Sequence, residues 1–192
     1  MGKVTFKEAD PNKDPVLSRS LTNAGRPESP SDATGAIGGA FELSLRFLLL
    51  LDVSDDAGMT EERLCCLDFI CTYAHDFGLG EYNLHGNSSY RFSEFVTRQL
   101  ISNAAIRSLV MKGLLNVDLS EHGFVYSLND VGSQFCKSFQ SEYAQEYCGI
   151  AGHVSHILSS QSDSSLLTLI RSKSVSFSFL TNDASSTDKE GT

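Results

Sequence analysis

Residues 93–128 read SEFVTRQLISNAAIRSLVMKGLLNVDLSEHGFVYSL, and a change of period inside them decides the fold. In the first half, Ile101, Ala105 and Leu109 form one i, i+4 row, and Ile106 and Val110 form the next. That is the broad apolar stripe of a helix laid on a core. Gly113 ends it. Beyond Gly113 the period is two: Val117 and Leu119 alternate with polar neighbours, Ser120-Glu121-His122-Gly123 supplies a turn, and Phe124, Tyr126 and Leu128 alternate again. Asn129 is placed to cap a new helix. Helix, two-stranded wing and helix is the layout of a winged helix, a binding scaffold that restricts function without naming it.

Upstream, FELSLRFLLLL from Phe41 predicts a helix of about three turns, with Leu45, Leu48 and Leu49 inward and Glu42 one turn from Arg46. Residues 52–59 form a polar loop, and Thr60 is an N-cap followed by Glu61 and Glu62 at the positive end of the dipole. Leu64, Leu67, Ile70, Ala74 and Phe77 recur at helical spacing, and Gly78 is the expected stop. Residues 78–91 are a loop carrying Tyr82, Leu84 and His85. Downstream of the wing, Val131, Phe135, Phe139, Tyr143 and Tyr147 fall on one i, i+4 row. This row serves either as a docking face for a partner or as packing within its own domain. Gly149 and Gly152 break the pattern, residues 153–171 hold a further short helix or two, and Val175, Phe177 and Phe179 alternate with serine as a strand would. The last dozen residues look disordered.

The expected fold is mainly α with a small β-hairpin wing (α+β), a winged-helix-like domain with additional flanking helices. Residues 1–39, which hold all four prolines and no periodic apolar pattern, are expected to be a disordered or flexible leader. Residues 40–172 form the domain, and residues 173–192 a C-terminal tail. The total of 192 residues suffices for one domain with a proper core.

Charge narrows the function. The chain carries −9, and residues 41–149 hold seven Lys/Arg against fifteen Asp/Glu. Nucleic-acid binding draws on phosphate neutralisation and wants a basic face, so an acidic core points to protein partners. No apolar run reaches the length of a bilayer span and the start has no signal-like apolar region. Five cysteines, two of them adjacent (Cys65-Cys66), fit small hydrophobes in a reducing compartment. No membrane and a cytoplasmic location are the expectations.

Chemistry-bearing patterns are weak. Cys71 and His75 are one helical turn apart and lack two further convergent ligands, and His153 and His156 stand alone, so no metal is expected. Residues 35–39 (GAIGG) lack the Gly-Lys-Ser/Thr ending of a phosphate loop. There is no G-x-S-x-G elbow, and Asp68, Asp76 and His85 either surround a pocket or tie backbone. The chain reads as a non-enzyme without cofactor. Were the domain to read DNA, Arg91, Arg98, Arg107 and Lys112 are the candidate contacts. The candidate partner face is Phe135, Phe139, Tyr143 and Tyr147.

Several phrases together resemble a known family. The opening FELSLRFLLLL, Leu67-Asp68-Phe69 leading to His75-Asp76-Phe77-Gly78, then Leu84-His85, Ser93-Glu94-Phe95 with Arg98, Leu109-Val-Met-Lys-Gly-Leu114 and Tyr126-Ser-Leu-Asn-Asp-Val-Gly132 resemble the middle components of ABC-three-component systems. The match runs over residues 41–147. These are bacterial operons, Lamassu-type anti-phage and anti-plasmid defence among them. In them a small middle protein accompanies an SMC- or Rad50-like ATPase and an effector, often a nuclease. The resemblance implies a non-catalytic adaptor bridging ATPase and effector nuclease, with DNA touched only through the complex. A winged-helix DNA-binding transcription regulator is the alternative.

Overall fold

The computed structural model describes residues 39–54, 56–121 and 123–186, with side chains through residue 174. Nearly all of the expected leader, His122 at the wing tip and residues 187–192 lie outside the described residues. The elements are α1 (Ala40–Val53), β1 (Met59–Thr60), α2 (Glu61–Thr72), a 3₁₀ turn (Ala74–Phe77), α3 (Arg91–Met111), β2 (Leu115–Ser120), β3 (Gly123–Leu128), α4 (Asp130–Cys136), α5 (Glu142–Ile157) and α6 (Asp163–Ser186). The fold is mainly helical with one small antiparallel sheet, of order β1-β3-β2.

The hairpin falls where the alternation puts it. Leu115 pairs with Leu128, Val117 with Tyr126 and Leu119 with Phe124, so one face of the ribbon is apolar along its length. The third strand escapes the pattern: Met59 and Thr60 pair with Tyr126 and Val125, and two residues are too few to display a period. Gly113, at φ +67, ends α3. Its N–H bonds the Val110 carbonyl (2.9 Å), and the Leu114 N–H bonds that of Leu109 (3.1 Å). This double closure needs a residue that tolerates positive φ. Asn129 caps α4, its side chain accepting from Gly132 N–H at 2.9 Å, and Thr60 caps α2 by accepting from Arg63 N–H at 3.0 Å.

The core lies where α1, α2, α3 and α5 meet. Leu43, Phe47, Leu50, Leu64, Leu67, Phe69, Ile70, Ala105, Tyr147, Ala151 and Val154 are buried in it. Leu48 and Leu49 are buried and Leu45 half-buried. Cys65, Cys66 and Cys71 pack in the same cluster, and burial pushes the Cys66 thiol up to about 12. They are inert small hydrophobes.

Five local expectations are corrected. The second helix does not run to Phe77. It ends at Thr72, whose carbonyl accepts from the His85 N–H (3.4 Å) while its hydroxyl bonds back to the Asp68 and Phe69 carbonyls. Loop 78–90 thus takes over a carbonyl that another helical turn would use. The aromatic row of residues 131–147 is split between α4 and α5, because Ser141 caps α5 by accepting from Ala144 N–H at 3.2 Å. Gly149 and Gly152 do not stop α5, which continues to Ile157. Ala144, Tyr147, Ala151 and Val154 on its inner face are buried, and their packing outweighs the roughly 1 kcal/mol that each helical glycine costs. The strand expected around Val175–Phe179 is instead helical backbone of α6. Of the last dozen residues, 181–186 are the end of that helix.

Candidate functional site

Asp68 on α2 is a carboxylate fully inaccessible to solvent. Arg46 of α1 reaches it side-on, Nε to Oδ1 at 2.7 Å and Nη2 to Oδ2 at 3.3 Å. Arg98 of α3 donates Nη1 to Oδ2 at 2.8 Å, and the Tyr147 hydroxyl of α5 donates to Oδ1 at 2.9 Å. One carboxylate therefore ties four helices. Burial alone would push the Asp68 carboxyl up. The Arg46 and Arg98 guanidinium groups, with hydrogen bonds from Arg46 and Tyr147, outweigh it and hold the carboxyl below the usual range. The same burial, with the Asp68 charge beside it, pushes the Tyr147 phenol well up.

The network continues outward at both ends. Arg46 Nη1 donates to Glu42 at 2.7 Å, the pair one turn apart in the sequence. Arg98 Nη1 also bonds the Thr72 hydroxyl (2.8 Å), while its Nη2 lies 3.5 Å from Glu94 and 3.3 Å from His85 Nδ1. A guanidinium only donates, so His85 Nδ1 accepts, and its proton sits on Nε2, facing the Tyr143 hydroxyl at 2.9 Å. Burial, then the Arg98 and Arg46 charges, lower the His85 imidazole. Tyr73, buried beneath loop 78–90, donates its hydroxyl to Glu94 at 2.6 Å. The Arg98 guanidinium also stacks over Phe69 and Tyr73, 5.3 and 5.6 Å from the ring centres. A groove of about 710 Å³ opens above these groups, lined by α1, loop 78–90, Glu94 and the start of α5.

This changes the standing of the cationic candidates. Arg98 is 3% exposed and Arg91 7% exposed, and Arg91 is held by Asp76 and by the Ser88 carbonyl. Neither presents a charge to a phosphate, so both leave the DNA-contact set. Arg107 and Lys112 remain on the surface. Asp76 and Asn83 tie the loop together rather than lining a pocket. The partner row also divides. Tyr147 is a core residue with no exposed surface. Phe135 and Phe139 stack edge to face at 5.2 Å, and Phe139 and Tyr143 line the groove.

Sequence reasoning missed a second surface. The side of α3 turned away from the core carries Val96 (56% exposed), Leu100 (79%) and Met111 (78%). The outer half of the hairpin adds Leu119 (79%), Phe124 (60%) and Val117 (42%). A shallow cleft of about 240 Å³ joins the two, lined by Asn103, Ile106, Arg107, Val110, Met111, Val117, Phe124 and Tyr126. The signal was present in the register: cross-strand pairs Val117–Tyr126 and Leu119–Phe124 extend the apolar stripe past the end of the core.

Among the described residues no group of three or more His, Cys, Asp or Glu is arranged to hold a metal ion, and no helix is long and apolar enough to cross a membrane. No curated protein and no solved structure matches the chain. The family model of ABC-three component (ABC-3C) system Middle Component 2 matches residues 36–178. That span takes in the Asp68 network, the groove and the α3–hairpin face. The chain belongs to the Middle Component 2 family of ABC-three component systems.

Proposed function

We propose that this chain is a non-catalytic adaptor subunit of a cytoplasmic bacterial defence complex, Lamassu-type among the class. In this reading it bridges an SMC- or Rad50-like ATPase and an effector nuclease and touches DNA only through the assembly. The family match supports an accessory role. The order α1-β1-α2-α3-β2-β3 supports a winged-helix-like scaffold. One observation carries the choice of ligand. The face of α3 and the hairpin that a DNA reader would line with Arg and Lys carries one arginine, Arg107, in its cleft and Leu100, Met111, Leu119 and Phe124 in the open. An exposed apolar patch of this kind marks a protein contact. Asp118 and Glu121 on the hairpin repel phosphate.

The test is co-expression with the products of neighbouring genes, followed by size-exclusion chromatography. A stoichiometric complex with a large coiled-coil ATPase is expected, and a lone monomer beside such a partner would sink the reading. Arg107 and Lys112, both exposed at the far end of α3, favour the transcription regulator as second reading. A mobility shift on the protein's own promoter at physiological salt decides it, since a regulator should bind its site at roughly 10⁻⁸ M or tighter.

A further inference from the structure

The sheet order β1-β3-β2 gives β2 (Leu115–Ser120) a neighbour on one side only. The Asn129 N–H bonds the Leu114 carbonyl at 3.3 Å, one pair before Leu115 meets Leu128. Antiparallel pairs alternate between bonded and unbonded. The backbone groups of Asn116, Asp118 and Ser120 therefore bond β3, and those of Val117 and Leu119 point outward. Among the described residues nothing bonds them from that side. Natural sheet edges are blunted by lysine, proline or a bulge. β2 has none of the three: its sequence is LNVDLS, and its pairs with β3 run in unbroken register from Leu115 to Ser120. The flank of this edge is apolar, because Val117, Leu119 and, on α3, Met111 stand exposed beside it.

We propose that β2 takes up an extended segment of a partner protein as a fourth strand of the sheet. The backbone of that segment bonds Val117 and Leu119, and every second side chain packs beside theirs over the α3–hairpin cleft. The intervening side chains stand beside Asn116, Asp118 and Ser120. A second copy of this chain is the poorer occupant. The hairpin carries Asp118 and Glu121 and no Lys or Arg, so two copies set edge to edge bring both pairs of carboxylates together with no cation among them. The inference rests on the reading of this face as a protein contact and adds its mode, backbone pairing.

The test titrates the capped peptide Lys-Val-Thr-Val-Lys-Leu into the full ¹⁵N-labelled chain, beside two isomers N-methylated at both valines or at the threonine and second lysine. In the free chain the Val117 and Leu119 amides should exchange freely and that of Asp118 slowly. The peptide should give saturable shifts at Val117 and Leu119 and slow their exchange. One isomer should bind about tenfold or more weakly than the other: loss on methylating the valines means an antiparallel strand, loss with the other isomer a parallel one. Leu119→Pro removes an outward N–H and leaves the bonds to β3 in place. It should weaken binding about tenfold or more while the spectrum stays dispersed, and Leu119→Thr, which keeps the N–H, by less than about threefold. The proposal is overturned if the two isomers bind alike, if Leu119→Pro binds as Leu119→Thr does, or if no peptide gives saturable shifts at millimolar concentration. Val117 and Leu119 amides already as slow as Asp118, or shifting there with chain concentration alone, overturn it as well, the latter in favour of a second copy. A co-expressed complex that forms despite any of these outcomes leaves this face docking through side chains, whereas failure of that complex sinks the parent reading.

Discussion

The two sides of α3 are partly inverted: charge is buried within an otherwise apolar inner side, and large apolar groups stand on an otherwise polar outer side. Its inner side holds Arg91, Phe95, Arg98, Ser102, Ala105 and Leu109, all buried, while its outer side shows Val96, Leu100 and Met111 to solvent. The departures from an ordinary surface helix are the buried arginines and the large apolar side chains left in solvent. Inside, the arginines are acceptable only because Asp68, Asp76 and Glu94 neutralise them and fixed hydrogen bonds satisfy their N–H groups. Outside, nothing in the described residues covers the apolar side chains. The inner side fixes how four helices meet, and the outer side is the face proposed above to meet another molecule.

Breaking the inner side should have the largest effect. Asp68→Asn leaves Arg46 and Arg98 buried without their shared charge, and a loss of about 3–5 kcal/mol is expected, measured by urea unfolding. A loss below about 1 kcal/mol would mean the network is loosely held. Next comes packing beside the hairpin. A methyl at Gly132 would fall 2.8 Å from Leu128 Cδ1 and still nearer the Leu114 carbonyl, so Gly132→Ala should cost about 1–3 kcal/mol, read as a lower urea midpoint.

Acid sharpens the comparison further. The folded His85 imidazole is held below its ordinary 6.5, so the unfolded chain takes up the proton first and stability falls as pH drops below about 6.5. A His85→Gln variant should lose that part of the slope; superimposable profiles would show that His85 does not titrate against Arg98. Asp68 acts in a lower window. Its depressed carboxyl contributes stability that is complete above the ordinary carboxylate value of 3.8 and is lost as pH falls through the lower folded value.

The smallest effect on stability belongs to the outer side. Leu100→Glu, at a position 79% exposed, should change the unfolding free energy by under about 0.5 kcal/mol. A larger loss would mean Leu100 packs on the chain itself.

How much of this was legible follows from the same inversion. The hairpin, its turn, the end of α3 at Gly113 and the caps at Thr60 and Asn129 came from short-range pattern, which backbone chemistry reads directly. The Glu42–Arg46 pair came the same way. The arginines did not, because charge is normally assigned to solvent. Yet Arg91 and Arg98 share one face with Phe95, Ala105 and Leu109 at spacings of three and four, and Asp68 lies beside Leu64 and Leu67 in the stripe of α2. A charge on an apolar row, matched by an opposite charge on the next helix, was the available signal. The break between α4 and α5 was missed because five apolar residues at perfect spacing outweighed one Ser-Glu cap at Ser141. The groove joins residues 42 to 144 and no local pattern encodes it.

The central claim is that the outer side of α3 and the hairpin docks protein. Size-exclusion chromatography of the wild type and of a Leu100→Glu, Leu119→Glu double variant, each co-expressed with the neighbouring gene products, tests it most directly. The account predicts that the variant stays folded, with its urea midpoint unchanged, and elutes apart from the complex that the wild type joins. Co-elution of the folded double variant with the full complex would contradict it.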